Sequence, residues 1–143
     1  MDRIHDLSSD LVVLVARLVR DVRRYNVDIP AASTRVMSLI DELGPSTVGR
    51  LAEQDRCSQP TMSGLVNGLV DRGWAGRTPH PADSRANLVS LTALGRRTLA
   101  MLRRHNADLV AERIAASGAS VDDLQTAVTL LRALLPTTPE GTL

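Results

Sequence analysis

The sequence predicts a mostly α domain carrying one small β-hairpin, and three observations predict it. Apolar residues recur at spacings of three and four through most of the chain, the mark of helices that each bury one face. That period changes between Trp74 and Leu91, where two short strand-like runs flank a turn-rich segment. The third observation is composition. With no Phe, one Trp and one Tyr, the core has to be built from Leu, Val, Ile, Ala and Met, which suits helices packed on helices. A chain of 143 residues, 43% of them apolar, is enough for a single domain, 1–143, with a real core.

Each element follows from local signals. Ile4, Leu7, Leu11, Leu14, Val15, Leu18 and Val22 define a first helix, and Val12, Val13 and Val19 widen its apolar face beyond what one partner needs. Asp28-Ile29-Pro30 breaks the pattern, and a second helix runs to about Leu43, where Gly44-Pro45 stops it. A third starts at Ser46 or Thr47, either of which can cap it, and ends near Arg56. The fourth opens at Ser58 as N-cap, tolerates Pro60 in its first turn, and runs through Asp71-Arg72 to Gly73.

Trp74–Thr78 and Asn87–Leu91 read as strands, joined by a turn containing Pro79, Pro81, Ala82, Asp83 and Ser84. Helical spacing returns at Thr92 and carries Leu94, Leu99, Met101, Leu102, Leu109 and Ile114 before Gly118. Ser120-Val121-Asp122-Asp123 has the form of a capping box, opening a last helix striped by Leu124, Val128, Leu131 and Leu135. The tail beyond it, Pro136, Thr137, Thr138 and Pro139, is expected to fray. There is no internal repeat and no low-complexity linker.

Several function classes drop out at once. A single cysteine, Cys57, excludes an intramolecular disulfide framework and fits a reducing compartment. The first ten residues include Asp2, Asp6 and Asp10 and carry no basic-then-apolar leader, and the longest apolar run, Leu11 to Ala16, is too short to cross a bilayer. The expectation is a soluble, cytoplasmic protein with no membrane partner. His5, His80 and His105 are scattered without ligand partners, so no metal is expected; His5 and His80 read as surface residues. No phosphate-cradling Gly loop, nucleophile elbow or paired His–carboxylate motif is present, so neither an enzyme nor a cofactor is expected.

Two short helices joined by a tight turn and followed by a hairpin form the layout of a winged helix-turn-helix. On the helix from Ser58 to Arg72, Met62, Leu65, Val66 and Leu69 would pack inward. Gln59, Ser63, Gly64 and Asn67 fall on the opposite side, with Thr61 beside the first turn. Short uncharged side chains of this kind hydrogen-bond base edges, Gln and Asn suiting adenine, and the helix N-terminus suits a phosphate. An ordinary solvated helix face has the same look, and the hairpin separates the two readings.

The hairpin turn, His80 to Arg85, places one guanidinium at its tip, where a minor groove would favour it. Arg77 on the preceding strand is positioned to pair with Asp83 across the hairpin. All 17 basic residues are Arg and the formal net charge is only +1. The location of charge is therefore what counts. Between Arg50 and Arg97 there are seven Arg against four acids, a local excess of +3 that leaves the remainder of the chain at −2.

At this point a resemblance becomes specific. Asp83-Ser84-Arg85-Ala86-Asn87-Leu88-Val89-Ser90-Leu91-Thr92-Ala93-Leu94-Gly95 resembles the D-x-R-x-x-x-V-x-L-T-x-x-G wing signature of the MarR family of bacterial regulators. Leu43-Gly44-Pro45-Ser46-Thr47-Val48-Gly49-Arg50-Leu51-Ala52 is similar to the family's stretch leading into the helix-turn-helix. Ser58-Gln59-Pro60-Thr61-Met62 and Leu69-Val70-Asp71-Arg72-Gly73-Trp74 resemble its recognition helix and the exit into the wing.

The resemblance implies a sequence-specific regulator of transcription, most often a repressor, that binds a pseudo-palindromic duplex-DNA operator as a triangular homodimer. Residues 1–30 and 96–143 would supply the dimerisation helices and 31–95 the DNA-binding lobe. Ser58, Gln59, Pro60, Thr61, Ser63, Gly64 and Asn67 would serve the recognition helix. In the wing, Ser84 and Arg85 would form the tip, Arg85 probing the minor groove; Asp83 would brace it, and Arg77 would support it or touch phosphate. A small phenolic or lipophilic effector would occupy a cleft near Tyr25, Arg35, Met37 and His105. Cys57 precedes the recognition helix, where a small buried residue is needed, so packing is expected of it rather than redox sensing. The competing functions for such a fold are a protein-interaction module or an architectural DNA binder without sequence preference.

Overall fold

The local signals set the element boundaries. This computed structural model describes residues 2–26 and 28–137, so Thr138 and Pro139 of the expected frayed tail lie outside the described residues. In chain order the elements are α1 (Arg3–Arg23), α2 (Ala31–Leu43), α3 (Val48–Asp55), α4 (Gln59–Asp71), β1 (Ala75–Pro79), β2 (Asn87–Leu91), α5 (Ala93–Ser117) and α6 (Val121–Leu134). The mostly α architecture with one hairpin is therefore what the chain adopts.

Every helix except α2, which is entered from Pro30 without a side-chain cap, opens on a specific capping hydrogen bond. The Thr47 side chain accepts from the Arg50 N–H at 3.1 Å, Ser58 from Thr61 at 3.2 Å, and Thr92 from Gly95 at 3.0 Å. Of the two residues able to cap α3, Thr47 does so. Ser46 is instead buried and exchanges backbone hydrogen bonds with Val89 at 3.0 and 2.8 Å, so the α2–α3 connection adds a bridge to the outer edge of β2.

β1 and β2 pair antiparallel with Ala75 opposite Leu91 and Pro79 opposite Asn87. The first strand is thus displaced by one residue from the expected Trp74–Thr78, and Pro79, expected in the turn, closes the strand. The close approach that fixes this corner is at Gly95. A Cβ there would lie 2.0 Å from the Trp74 carbonyl oxygen, which accepts from the Thr92 N–H. The glycine that ends the wing signature lets the start of α5 sit directly on the start of β1.

One core gathers the middle of the chain. Val36, Met37 and Ile40 of α2, Leu51 and Ala52 of α3, Met62, Val66 and Leu69 of α4, Ala75, Val89 and Leu91 of the hairpin, and Leu99 and Leu102 of α5 are all buried together. The core thus continues past residue 95 into the first turns of α5. The ends of the chain behave differently. Val22 is the only buried residue of α1, and α6 has none.

Candidate nucleic-acid interface

The sharp turn between α3 and α4 is made at Arg56, a non-glycine residue at φ 54°, after which Ser58 starts the next helix. This geometry drives Met62, Val66 and Leu69 into the core and turns the other side of α4 outward. Pro60, Thr61, Gly64 and Asn67 are exposed there, and a Cβ placed on Gly64 would meet nothing within 4 Å. Gly68, which sequence reasoning passed over, is equally open and lies one turn beyond Gly64. Its signal was its four-residue spacing from Gly64.

Three expected positions sit less simply. Ser63 is half-buried on the flank of α4 rather than on its outer face. Gln59 is exposed, but its carboxamide lies over Gly49 of α3, with Nε2 3.1 Å from where a Cβ would stand. The Ser58 hydroxyl donates to the Thr61 hydroxyl at 2.8 Å, so these two side chains organise the first turn as a pair.

The wing is ordered by its own backbone. The His80 N–H donates to the Ala86 carbonyl at 3.0 Å, and His80 Nδ1 accepts from the Ala82 N–H at 3.0 Å, so half-buried His80 is a turn-former rather than a free surface residue. Asp83 Oδ1 accepts from the Arg85 N–H at 3.0 Å. The expected Arg77–Asp83 pair is not what forms. Arg77 donates from Nη2 to Asn67 Oδ1 on α4, while Asp83 braces the loop through its backbone. The reason is reach: the Arg77 guanidinium extends from β1 to the helix beside it. Ser84 and Arg85 are exposed at the tip, and Arg85 takes no part in any ion pair among the described residues. Behind the site, Arg72 stacks over Trp74 at 4.9 Å and Arg96 donates to the Leu91 carbonyl at 2.9 Å.

The four residues expected around an effector divide into two pairs. Tyr25 and His105 line one cavity of about 240 Å³ with Asp28, Ile29 and Met101. Met37 and Arg35 do not join them. Met37 is fully buried in the lobe core, and Arg35 holds Asp55 through a two-pronged ion pair at 2.9 and 3.2 Å. Cys57 is half-buried against the core, and burial, followed by the Asp55 charge, raises its thiol pKa. A thiol so placed is a poor nucleophile, which fits packing. Among the described residues no cluster of His, Cys, Asp or Glu has the form of a metal site, and no helix is long and apolar enough to cross a membrane.

Comparison with known proteins agrees with this geometry. A family model described as MarR family matches residues 29–86, the segment from the start of α2 into the wing. An HTH-type transcriptional regulator of Mycobacterium tuberculosis is 35% identical over 93% of this chain and 95% of its own length. One from Mycobacterium leprae is 32% identical over the same shares. Among solved structures, apo wild-type MarR from E. coli superposes with a TM-score of 0.70 at 25% identity, covering 95% of this chain and 99% of that one. A MarR family protein from Bacillus stearothermophilus reaches 0.75 at 20% identity, covering 94% and 95%. The winged helix-turn-helix, the residues it exposes and these likenesses agree: the chain belongs to the MarR family, and it is a DNA-binding transcriptional regulator rather than an enzyme.

Proposed function

We propose that the chain acts in the cytoplasm as a homodimeric repressor that reads a pseudo-palindromic operator. The observation that carries the reading is the pairing of two surfaces: a polar, glycine-opened face on α4 and an unpaired arginine at the neighbouring wing tip. The first suits base edges in a major groove, and the second suits the negative potential of a narrow minor groove. A fold relative, a mutant E. coli MarR, has been solved in complex with operator DNA, with a TM-score of 0.61.

The dimer is supported by what the ends of the chain leave uncovered. Ile4, Leu7, Leu14 and Leu18 of α1 and Leu124, Leu131 and Leu134 of α6 are all exposed in the single chain. An apolar surface of that extent marks an interaction face. A second copy supplies the complementary helices, so 1–30 and 96–143 serve dimerisation and 31–95 carries the DNA-binding residues. Two recognition helices related by a two-fold axis then require half-sites about 10 bp apart. The cavity beside Tyr25 and His105 lies between the end of α1 and the middle of α5, and it would take a small phenolic or lipophilic effector.

The test is a fluorescence-anisotropy titration against the promoter-proximal DNA of its own gene and a scrambled duplex of equal length, at two salt concentrations. The expected result is salt-sensitive binding to the first, at least ~1000-fold tighter than to the second. Equal affinity for both would replace this reading with an architectural role. Failure of a confirmed dimer to bind either duplex at low salt would replace it with a protein-interaction module.

A further inference from the structure

We infer that Arg77 is a positioning residue that fixes which hydrogen-bonding edge Asn67 presents to a base, so that the wing helps set the sequence read by the recognition helix. The inference rests on the operator-binding reading above and deepens it. Asn67 is exposed on the outer face of α4, with the bare backbone of Gly64 and Gly68 on either side of it along the helix. Neither glycine carries a side chain that would hold a base edge away from the Asn67 carboxamide.

The Arg77 guanidinium on β1 reaches this side chain and donates to its Oδ1. Oxygen and nitrogen of a carboxamide have nearly the same shape, and a solitary Asn swaps them freely to suit its partner. An arginine removes that freedom, because it has five donors and no acceptor. Only the oxygen can face it. The Nδ2 amino group is thereby turned away from the wing, and what Asn67 offers first to a groove is a donor.

The major-groove code says what such a donor selects. Purine N7, guanine O6 and thymine O4 accept, whereas the cytosine N4 amino group only donates. An unconstrained Asn would serve either class after a flip; one held by Arg77 favours the acceptors. Arg77 thus acts on specificity without touching a base. A residue that merely neutralised a phosphate would strengthen binding to every sequence alike.

Selection from a randomised duplex pool, followed by sequencing, tests this with the full-length wild-type chain, Asn67→Ala, Arg77→Ala, Arg77→Lys and the Asn67→Ala/Arg77→Ala pair. Both side chains are exposed, so none of the variants disturbs the core. Wild type is expected to disfavour cytosine at one position per half-site by roughly fivefold or more, the low end of what one good contact supplies. Asn67→Ala loses the preference at that position, and this identifies it. Arg77→Ala relaxes the same position and no other, Arg77→Lys keeps part of the preference, and Arg77→Ala changes nothing further once Asn67 is gone.

A wild-type chain that selects no sequence would overturn the regulator reading, and this inference with it. A chain that selects a sequence, but whose Arg77→Ala variant keeps the same base profile and only binds everything more weakly, would overturn this inference alone. So would an Arg77→Ala effect that persists in the Asn67→Ala background.

Discussion

The lobe and the outer helices of this protein are built from the same few aliphatic residues, yet they end in opposite states. In the lobe, the stripes of α2, α3 and α4 close on one another and on the hairpin, and Met37, Leu51, Met62, Val66, Leu69 and Val89 are 0% exposed. In α1 and α6, aliphatic stripes face outward instead, with Ile4 68% and Leu134 60% exposed. Helical periodicity states only that a face must be covered; it does not say by what. The lobe covers its faces within one chain, whereas the outer helices leave theirs open, and it is this open surface that the proposed dimer would close.

The largest effect is expected where the lobe admits no substitution at all. Gly95→Ala places a methyl 2.0 Å from the Trp74 carbonyl oxygen, a backbone atom that cannot swing aside. It should destabilise the lobe by about 3 kcal/mol or more, the upper range of overpacking. Urea unfolding followed by circular dichroism would measure it. A loss below 1 kcal/mol would show that the α5–β1 corner is not closed as described.

Replacing the outer stripe with charge should break the comparison from the other side. Leu14→Asp combined with Leu131→Asp costs the single chain almost nothing, because both positions are exposed in it. In a dimer each buries an unpaired carboxylate, weakening association by roughly 3 kcal/mol, about a hundredfold. Sedimentation should show monomers where wild type gives dimers, with the lobe still folded. Unchanged association would place the dimer face elsewhere.

A smaller effect separates the wing from the scaffold that holds it. Arg85→Ala should weaken operator binding by about 1–3 kcal/mol if the guanidinium reads a groove, and should lower the salt slope by about one phosphate equivalent if it meets the backbone. Stability should not change, since Arg85 is exposed and outside any ion pair among the described residues. Binding curves that match wild type at several salt concentrations would remove Arg85 from the interface.

What the sequence disclosed and what it withheld divide along a physical line. Ser58, Thr92 and Ser120 cap their helices by bonding to N–H groups three residues ahead, and Gly73 and Gly118 stop theirs at φ 76° and 77°. Such signals act within a turn of helix, so the element boundaries were legible almost to the residue. The site was legible as a face but not as a set of contacts. That Arg77 reaches Asn67 instead of Asp83, that Gln59 folds back over Gly49, and that Met37 points into the core while Arg35 engages Asp55 depend on how elements lie against one another. Local spacing carries little of that.

Acid should distinguish the two regions last and most gently. The Asp123 carboxylate accepts from the Ser120 N–H at 2.8 Å while the Ser120 hydroxyl accepts from the Asp123 N–H at 3.1 Å, closing the box at the start of α6. The Ser120 backbone bond, then the side-chain bond, lower the Asp123 pKa below its ordinary value. A carboxylate depressed in the folded state stabilises above its unfolded pKa, near 4, and that contribution is lost as pH falls through the lower folded value. The advantage of wild type over Asp123→Ala in α6 helicity should therefore be complete at pH 7 and vanish in strong acid. In the lobe core, Ser46 is the only buried polar residue among those described, and it does not titrate. Backbone chemical shifts followed from pH 7 to pH 2 should show the first turn of α6 loosening while the amides of Leu51 and Met62 hold. A lobe that loosened first would mean that local capping is not what holds α6 in place.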